Sequence, residues 1–424
     1  MLEKIINLAD GVEGLFIKSE RFNTTLVSCN FYLPLRADTA AAYALLPFIL
    51  TTCSEKYPDF SKLNYKLNRM YGARLDASAE KYGDYQLLKM SVSVINDRYT
   101  LDGESLVKQA AELLLGLIFE PSTENGEFLA DDLSREKRKA IEHIKSEISD
   151  KRTYAKNRLI EEMYKNEAYG IPKCGTIEDV EKITGKSLYE AWESMLSSAF
   201  IRFQVIGAAV PSGLFEDISA KFSSANRSNI TNCKLSAPTL AVTTPDTVTE
   251  LMDVNQGKLV MGFSTEMYGD DDKSLPIMVM CDVFGGGPYS RLFANVREKM
   301  SLCYYCSARP TRTKGLITVE SGVETANAEK AYTEILNQLN IVKKGEFTDF
   351  EFESSIKSIC DALMSHNDSQ TTLDTWYALK ANNDNLYSPA EIAEKIKAVT
   401  REDVLSAAAG VKLHTVYKLL PKEA

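Results

Sequence analysis

The second half of this sequence repeats the first half, with the same elements in the same order. Gly-Glu-Phe precedes a helical stretch at Gly126 and again at Gly345, about 220 residues later. The strand-turn-strand pattern around Gly83 returns around Gly315. The helix start at Thr184 returns at Thr400. Ordered matches at a long, similar spacing indicate tandem duplication of one folding unit rather than a short-period solenoid.

Each repeat predicts an α+β domain. The pattern runs through strands, two helices, a pair of strands, a long helix, further helices and a closing strand. Hairpin-like strand pairs indicate an antiparallel sheet with helices packed on one face. Because 424 residues exceed a single core, we predict domains at 1–222 and 246–424. The Ser- and Asn-rich stretch 223–245 is the predicted linker.

Composition limits the classes of partner. The net charge of −10 leaves no basic excess to neutralise phosphates, which argues against nucleic-acid binding. The longest apolar run, 40–50, is too short to span a bilayer, and no signal peptide is apparent at the start. Eight scattered cysteines suit buried thiols in a reducing compartment. We therefore expect a cytoplasmic protein with no membrane partner.

One stretch in the second half combines groups that can bind a peptide. A flexible, nearly side-chain-free loop is predicted at Gly285, Gly286 and Gly287. It is not a phosphate loop, because no Gly-Lys-Ser/Thr follows. A short amphipathic helix then carries Arg297, and the next strand carries Tyr304. A fixed cation and a phenol beside bare backbone can grip a peptide carbonyl.

Cys303 and Cys306 form a C-x-x-C on the same predicted strand. Residues three apart on a regular strand point to opposite faces. The pattern therefore predicts two structural thiols that neither pair nor chelate a metal.

The whole chain resembles the insulinase-like (pitrilysin, mitochondrial-processing-peptidase) family of zinc peptidases, most strongly at R-L-F-A-N-V-R-E-K-M-S-L-C-Y. The resemblance implies the LuxS/MPP-like metallohydrolase fold, with two homologous domains. In that family an Arg and a Tyr seven residues apart contact the bound peptide near its scissile bond. Arg297 and Tyr304 match that spacing, so the resemblance assigns them substrate binding.

The first half departs from the family at its metal motif. Active members carry H-x-x-E-H on the first helix, followed by Y-P. Tyr57 and the proline after it are present, but Ala44, Pro47 and Phe48 stand where the two histidines and the glutamate should be. None of these three side chains can bind zinc or act as a base. Pro47 is also expected to fit poorly within a regular helix.

The family's third ligand would fall near Glu142 or His143. A single ligand does not hold zinc with useful affinity. We therefore expect no metal, no cofactor and no intrinsic catalytic residue in this chain, with zinc only in a partner subunit.

Within the family, the sequence is most similar to a zinc-less bacterial group. The shared features begin at Leu45, Tyr57, Leu67 and Ser149. That group is associated with the 5-aminopentanol modification of elongation factor P. Its members typically accompany a second protein that keeps the zinc motif, which implies a link to that modification here.

These features favour a non-catalytic subunit of an insulinase-like peptidase pair. In two-chain relatives one subunit supplies the metal and the other supplies the Arg-Tyr pair across a shared chamber. By that resemblance this chain would close the chamber, bind extended peptide at a sheet edge and lend Arg297 and Tyr304 to a zinc-bearing homologue. The alternative is a peptide- or protein-binding scaffold, such as a homodimer, without proteolysis. A lone peptidase with an unorthodox metal site is a third interpretation, and the client is open.

Overall fold

A computed structural model describes residues 2–235, 244–269, 272–381 and 386–422. The chain forms two compact units. Unit 1 comprises Met1–Lys145, Ile171–Lys234 and Asp368–Asn382, and unit 2 comprises Ser146–Gly170, Leu235–Asn367 and Asn383–Ala424. Each unit therefore gathers separate parts of the sequence. The predicted linker 223–245 includes residues 236–243, which lie outside the described residues, and its bounds stay a prediction.

The elements alternate between strands and helices along the chain. The strands are β1 (Leu2–Ala9), β2 (Val12–Lys18), β3 (Thr24–Pro34), β4 (Arg74–Tyr82), β5 (Tyr85–Ile95), β6 (Thr123–Glu124), β7 (Glu127–Phe128), β8 (Phe200–Gly207), β9 (Asp246–Met252), β10 (Gly257–Ser264), β11 (Cys303–Thr311), β12 (Leu316–Val323) and β13 (Lys412–Pro421). The α-helices are α1 (Ala40–Leu50), α2 (Phe60–Arg69), α3 (Leu106–Phe119), α4 (Ala130–Ser149), α5 (Lys151–Met163), α6 (Ile177–Lys182), α7 (Gly185–Ser198), α8 (Leu214–Ser223), α9 (Leu275–Gly285), α10 (Ala328–Lys343), α11 (Asp349–Ser365), α12 (Gln370–Ala378), α13 (Pro389–Lys397) and α14 (Arg401–Ala409). A π-helix spans Leu292–Lys299.

The two sheets have the same topology, which confirms the tandem repeat. Unit 1 orders its strands β1-β2-β8-β3-β5-β4, and unit 2 orders its strands β9-β13-β10-β12-β11. If β1 is set aside, each strand of the first sheet has its counterpart in the second. Most neighbours are antiparallel, as predicted. Each sheet also has one parallel pair, β2 with β8 and β9 with β13.

The sequence matches recur at equivalent structural positions. Gly83 and Gly315 turn β4 into β5 and β11 into β12, with φ of 56° and 55°. Thr184 and Thr400 each cap a helix, accepting a hydrogen bond from a backbone N–H three residues on. Such caps and left-handed turns depend on particular residue types, so they persist in both copies.

The main core of unit 1 lies between the sheet and its principal helices. Val27, Cys29 and Phe31 on β3 alternate toward this core, and Leu88 and Met90 on β5 join them. This period of two is the pattern of a sheet face packed on helices. The helical layer contributes the buried faces of α1, α3 and α7.

Among the described residues, one helix packs on the other face of β3 and β8 in unit 1. The helix is α12, whose Asp374 side chain is fully buried. Asp374 pairs with Lys89 and accepts hydrogen bonds from Ser28 Oγ and Gln204 Nε2, both at 2.6 Å. The prediction of helices on one face describes the main layer and misses this helix, because its contacts are polar.

In unit 2 the corresponding position belongs to α5, which packs on β10 and β13. Leu159 lies in an apolar cluster with Val260 and Tyr417. Gly262 permits the close approach, since a Cβ there would lie 2.6 Å from the Met163 sulfur. Each unit thus buries both faces of its central strands.

A short hairpin precedes the helical stretch predicted at Gly126. Asn125 and Gly126, at φ 53° and 77°, instead turn the short hairpin β6–β7, and the helix begins at Ala130. Asn-Gly is the preferred sequence for a tight hairpin turn, and here it outweighs the helical pattern around it.

We expect Asp374→Ala to lower the free energy of unfolding of unit 1 by about 3–5 kcal/mol, because it leaves Lys89 buried without its counter-charge. Both tryptophans, Trp192 and Trp376, belong to unit 1, so fluorescence during urea denaturation measures this loss.

The matched control is Asp368→Ala, which removes the exposed ion pair with Arg21. Its expected loss is under about 1 kcal/mol, since exposed pairs contribute little. Equal losses for Asp374→Ala and Asp368→Ala would contradict the proposed role of the buried pair.

Candidate functional site

The positions predicted to replace the zinc motif, Ala44, Pro47 and Phe48, lie on α1. Ala44 and Pro47 are buried, and Phe48 is 40% exposed. The helix continues through Pro47 to Leu50, so the expectation that this proline fits poorly is wrong. Pro47 lies in the last turn. Because proline has no N–H, the Tyr43 carbonyl four residues earlier lacks its helical hydrogen-bond donor. Both the N–H and the hydroxyl of Thr51 bond the Pro47 carbonyl, which ends the helix.

A cavity of about 390 Å³ in unit 1 adjoins this helix. Ala44 and Phe48 line it from one face of α1, while Pro47 does not. The other lining residues come mainly from β4 and α4: Ser78, Ala79, Glu80, Glu136, Lys139, Ala140 and His143. The cavity therefore lies where the resemblance puts the metal, but its α1 wall is hydrocarbon.

The α4 wall carries a carboxylate that the sequence reading missed. Glu136 is buried, and its carboxylate lies 2.8 Å from Lys139 Nζ and 3.6 Å from Arg135 Nε. Two cations therefore compensate the negative charge that a metal would otherwise use. The spacing of Glu136, Ala140 and His143, at i, i+4 and i+7, was the available signal for a shared helix face.

Of the two suggested third-ligand positions, His143 lines the cavity. Glu142 is exposed and lies 4.0 Å from Arg138 on the helix surface. Across the described ranges, no group of three or more His, Cys, Asp or Glu side chains is placed to hold a metal ion. A zinc ion does not fit the residues around Ala44 and Phe48, since alanine and phenylalanine have no lone pairs to donate.

The cavity adjoins an open sheet edge. Within the described residues, β4 pairs with β5 and with no second strand. Its Ser78, Ala79 and Glu80 lie along the cavity. An open strand edge presents backbone donors and acceptors that an extended peptide can pair with.

In unit 2, Arg297 lies on the π-helix Leu292–Lys299. Leu292 and Val296 bury one face of this helix, as the amphipathic pattern predicted. The Arg297 guanidinium lies 4.6 Å from the centre of the Phe293 ring and 3.5 Å from the Glu298 carboxylate. Its side chain is 39% exposed, so the charge is positioned and still reaches solvent.

Tyr304 lies at an irregularity in β11. Cys303 pairs with Val323 and Tyr305 pairs with Gly322, which leaves Tyr304 as an extra residue in a β-bulge. Its side chain is 60% exposed, and its hydroxyl donates to Glu324 Oε1 at 3.2 Å. The bulge presents this phenol at the surface of unit 2.

The same bulge contradicts the expectation that Cys303 and Cys306 point to opposite faces of their strand. Cys303 shares its register position with Val323, and Cys306 shares its position with Ser321. Because residues 321 and 323 face the same side of β12, both cysteines face that side too. The extra residue turns an odd spacing into a same-face pair, and the Cys306 thiol lowers the pKa of the Cys303 thiol beside it.

The glycines are not all in a loop. Gly285 is the last residue of α9, and Gly286 caps that helix in right-handed geometry. Close packing requires glycine here: a Cβ on Gly285 would lie 2.6 Å from the Ala308 nitrogen, and one on Gly287 would lie 2.7 Å from the Tyr289 ring. The loop prediction is wrong for Gly285, since the helix reaches it.

The sequence and the fold of this chain are similar to those of known proteins. The model of the family described as "Peptidase M16 inactive domain" matches residues 182–359. The chain is similar to the "Probable inactive metalloprotease YmfF" of Bacillus subtilis, with 30% identity and 96% of each chain covered. It is 22% identical to the "Uncharacterized zinc protease YmxG" of the same organism, over 77% of this chain and 79% of that one.

Solved structures share the fold. A conserved protein from Enterococcus faecalis matches with a TM-score of 0.91 and 26% identity, covering 99% of this chain and 98% of that one. A protease from Helicobacter pylori matches with a TM-score of 0.78 and 14% identity, covering 99% of both chains. In the described part of this chain, no helix has the length and apolar character needed to cross a membrane.

The exposed positions of Arg297 and Tyr304 predict little contribution to stability. We expect Tyr304→Phe to change the free energy of unfolding by less than about 0.5 kcal/mol. Arg297→Ala should cost under about 1 kcal/mol, the value of an exposed cation–π contact. Leu292→Ala, on the buried face of the same helix, should cost about 2–4 kcal/mol. Differential scanning calorimetry ranks the three variants, and a large loss for Tyr304→Phe would indicate a structural role instead.

Proposed function

The chain belongs to the M16 peptidase family as an inactive homologue, and we propose that it serves as the non-catalytic subunit of a metallopeptidase pair. One observation carries the proposal: the metal-motif positions are hydrocarbon, while the Arg-Tyr pair remains available at the surface of unit 2. A homologous partner would hold the zinc. In a shared site, one chain can lack the metal ligands and keep the Arg-Tyr pair, because the other chain supplies the metal.

Arg297 and Tyr304 would act on the peptide bound at the partner's site. The guanidinium and the phenol both donate hydrogen bonds. Directed at a peptide carbonyl, they orient it and stabilise the negative charge that develops on its oxygen during hydrolysis. Phe293 and Glu298 hold the guanidinium, which limits the entropy lost when it engages substrate.

A second function is favoured by the cavity in unit 1. An extended peptide paired with the β4 edge would place alternate side chains over the cavity. Leu45, Phe48 and Ala79 offer an apolar surface to one of those side chains. Such binding requires no proteolysis, so it also supports the alternative of a peptide- or protein-binding scaffold, including a homodimer.

We further propose that the client belongs to the 5-aminopentanol modification of elongation factor P. The support is the resemblance to the zinc-less bacterial group at Leu45, Tyr57, Leu67 and Ser149. Deletion of this chain should then reduce the modified fraction of elongation factor P, measured by intact-protein mass spectrometry of the factor from its host. An unchanged modified fraction would contradict this client.

The shared site predicts a kinetic effect. The chain co-expressed with a homologue that keeps H-x-x-E-H should form a complex with peptidase activity. Arg297→Ala and Tyr304→Phe should each lower kcat/KM about 100- to 1000-fold, the loss seen when one donor to a reacting carbonyl is removed. Cleavage of a quenched fluorescent peptide library by the purified complex measures it.

The matched control is Lys299→Ala, which removes an exposed cation from the same helix two residues from Arg297. Its activity should stay near that of the wild type. Native mass spectrometry establishes that every variant still forms the complex. Unchanged activity in both the Arg297→Ala and the Tyr304→Phe complexes would contradict the shared-site proposal.

Peptide binding in the unit 1 cavity has its own test. Ala140→Trp should fill the cavity and weaken binding of a fluorescein-labelled peptide with phenylalanine at alternate positions by at least about tenfold, or about 1.4 kcal/mol. Fluorescence anisotropy measures the affinity. Ser134→Trp places the same bulk on the exposed surface of α4 and should leave binding unchanged. Equal affinities for both variants would exclude the cavity as the peptide site.

A further inference from the structure

The β-bulge at Tyr304 creates a paired thiol site that the peptide-binding role does not use. Cys303 and Cys306 face the same side of β11, over Val323 and Ser321 of β12. Cys306 is buried, whereas Cys303 is only partly buried. One thiol is therefore partly accessible to a reagent, and the other is buried on the same face of the strand.

The surroundings favour a reactive thiolate at Cys303. The neighbouring Cys306 thiol lowers the pKa of the Cys303 thiol to about 7, the Ser321 hydroxyl and the Arg297 charge contribute in the same direction, and partial burial opposes them. The neighbouring Cys303 thiol, together with burial, raises the pKa of the Cys306 thiol. A low-pKa, accessible cysteine in front of a buried, protonated one is the arrangement of an attacking and a resolving thiol.

The other charged groups around Cys303 do not reverse this effect. Arg297 lies on the π-helix packed against β11, and its nearest acid, Glu298, is mostly exposed. Glu324, beyond the end of β12, accepts the hydrogen bond of Tyr304. One thiol, one hydroxyl and one guanidinium thus favour the thiolate form of Cys303.

We propose that Cys303 and Cys306 are a redox-active dithiol that closes to an intramolecular disulfide by exchange with a low-molecular-weight disulfide. The Cys303 thiolate attacks one sulfur of the reagent, forms a mixed disulfide and releases the first thiol. Cys306 then loses its proton and attacks the Cys303 sulfur, which releases the second thiol. The two cysteines are oxidised by two electrons, and the reagent is reduced to two thiols.

Closure would change the surroundings of the Arg-Tyr pair. Tyr304 is the bulged residue between the two cysteines, so a Cys303–Cys306 bond would fix the backbone that orients its phenol. The bond would also remove the thiolate near Arg297. The dithiol does not rest on the proposed peptidase role, because its chemistry involves residues of this chain alone.

The probe is oxidised glutathione added to the full chain, followed by acid quenching, alkylation of remaining thiols and peptide mapping. The wild type should lose two alkylatable thiols, carry a Cys303–Cys306 disulfide and release two equivalents of glutathione. Cys306→Ser should stop at a stable mixed disulfide on Cys303. Cys303→Ser should react at least about tenfold more slowly than the wild type, because Cys306 is buried.

The matched control is Cys360→Ser, which removes a distant thiol and should leave the map unchanged. A mixed disulfide that persists in the wild type would overturn the proposal, as would equal reaction rates for Cys303→Ser and the wild type. The wild-type map decides the matter even where a serine variant fails to fold.

Discussion

The architecture depends on burying both faces of each central sheet. In unit 1 the apolar helices α1, α3 and α7 cover one face, and the polar helix α12 covers the other. Asp374 enters that second face only because Lys89, Ser28 and Gln204 satisfy its charge. A carboxylate buried without those partners would cost more than the helix gains by packing. The rigid sheet that results is what positions β4 beside α1.

On that scaffold, unit 1 forms a cavity whose α1 wall carries no group that binds a metal. Ala44 and Phe48 replace lone pairs with hydrocarbon, and Lys139 and Arg135 compensate the charge of Glu136. From α1 the cavity therefore presents apolar surface and no metal ligand. Arg297 and Tyr304 do not depend on that cavity, since a separate helix and a separate bulge position them in unit 2. Their retention is the physical basis for proposing a site completed by another chain.

The sequence predicted the features that obey a period or need a special residue. Gly83 and Gly315 marked equivalent hairpins because both positions require left-handed backbone, and counting back from Tyr57 located Ala44 and Phe48 on one helix face. The bulge at Tyr304 was not predicted, because one extra residue does not change the sequence pattern of a strand.

The helices on the second face of each sheet, α12 and α5, and the helical position of Gly285 were not predicted, for related reasons. From the sequence alone, Asp374 would be predicted to be exposed. Its burial depends on partners that lie far away along the chain, such as Lys89. Gly285 reads as a loop residue, yet it is glycine because Ala308 approaches it closely. In each case a long-range contact outweighs the local preference.

We propose that this chain holds no catalytic metal of its own and completes the site of a partner that does. Zinc content by inductively coupled plasma mass spectrometry tests it directly, on the purified chain and on its complex with a homologue that keeps H-x-x-E-H. The account predicts no stoichiometric zinc in the chain alone and one zinc per heterodimer, lost when the partner's histidines are replaced. Stoichiometric zinc in the chain alone would contradict it.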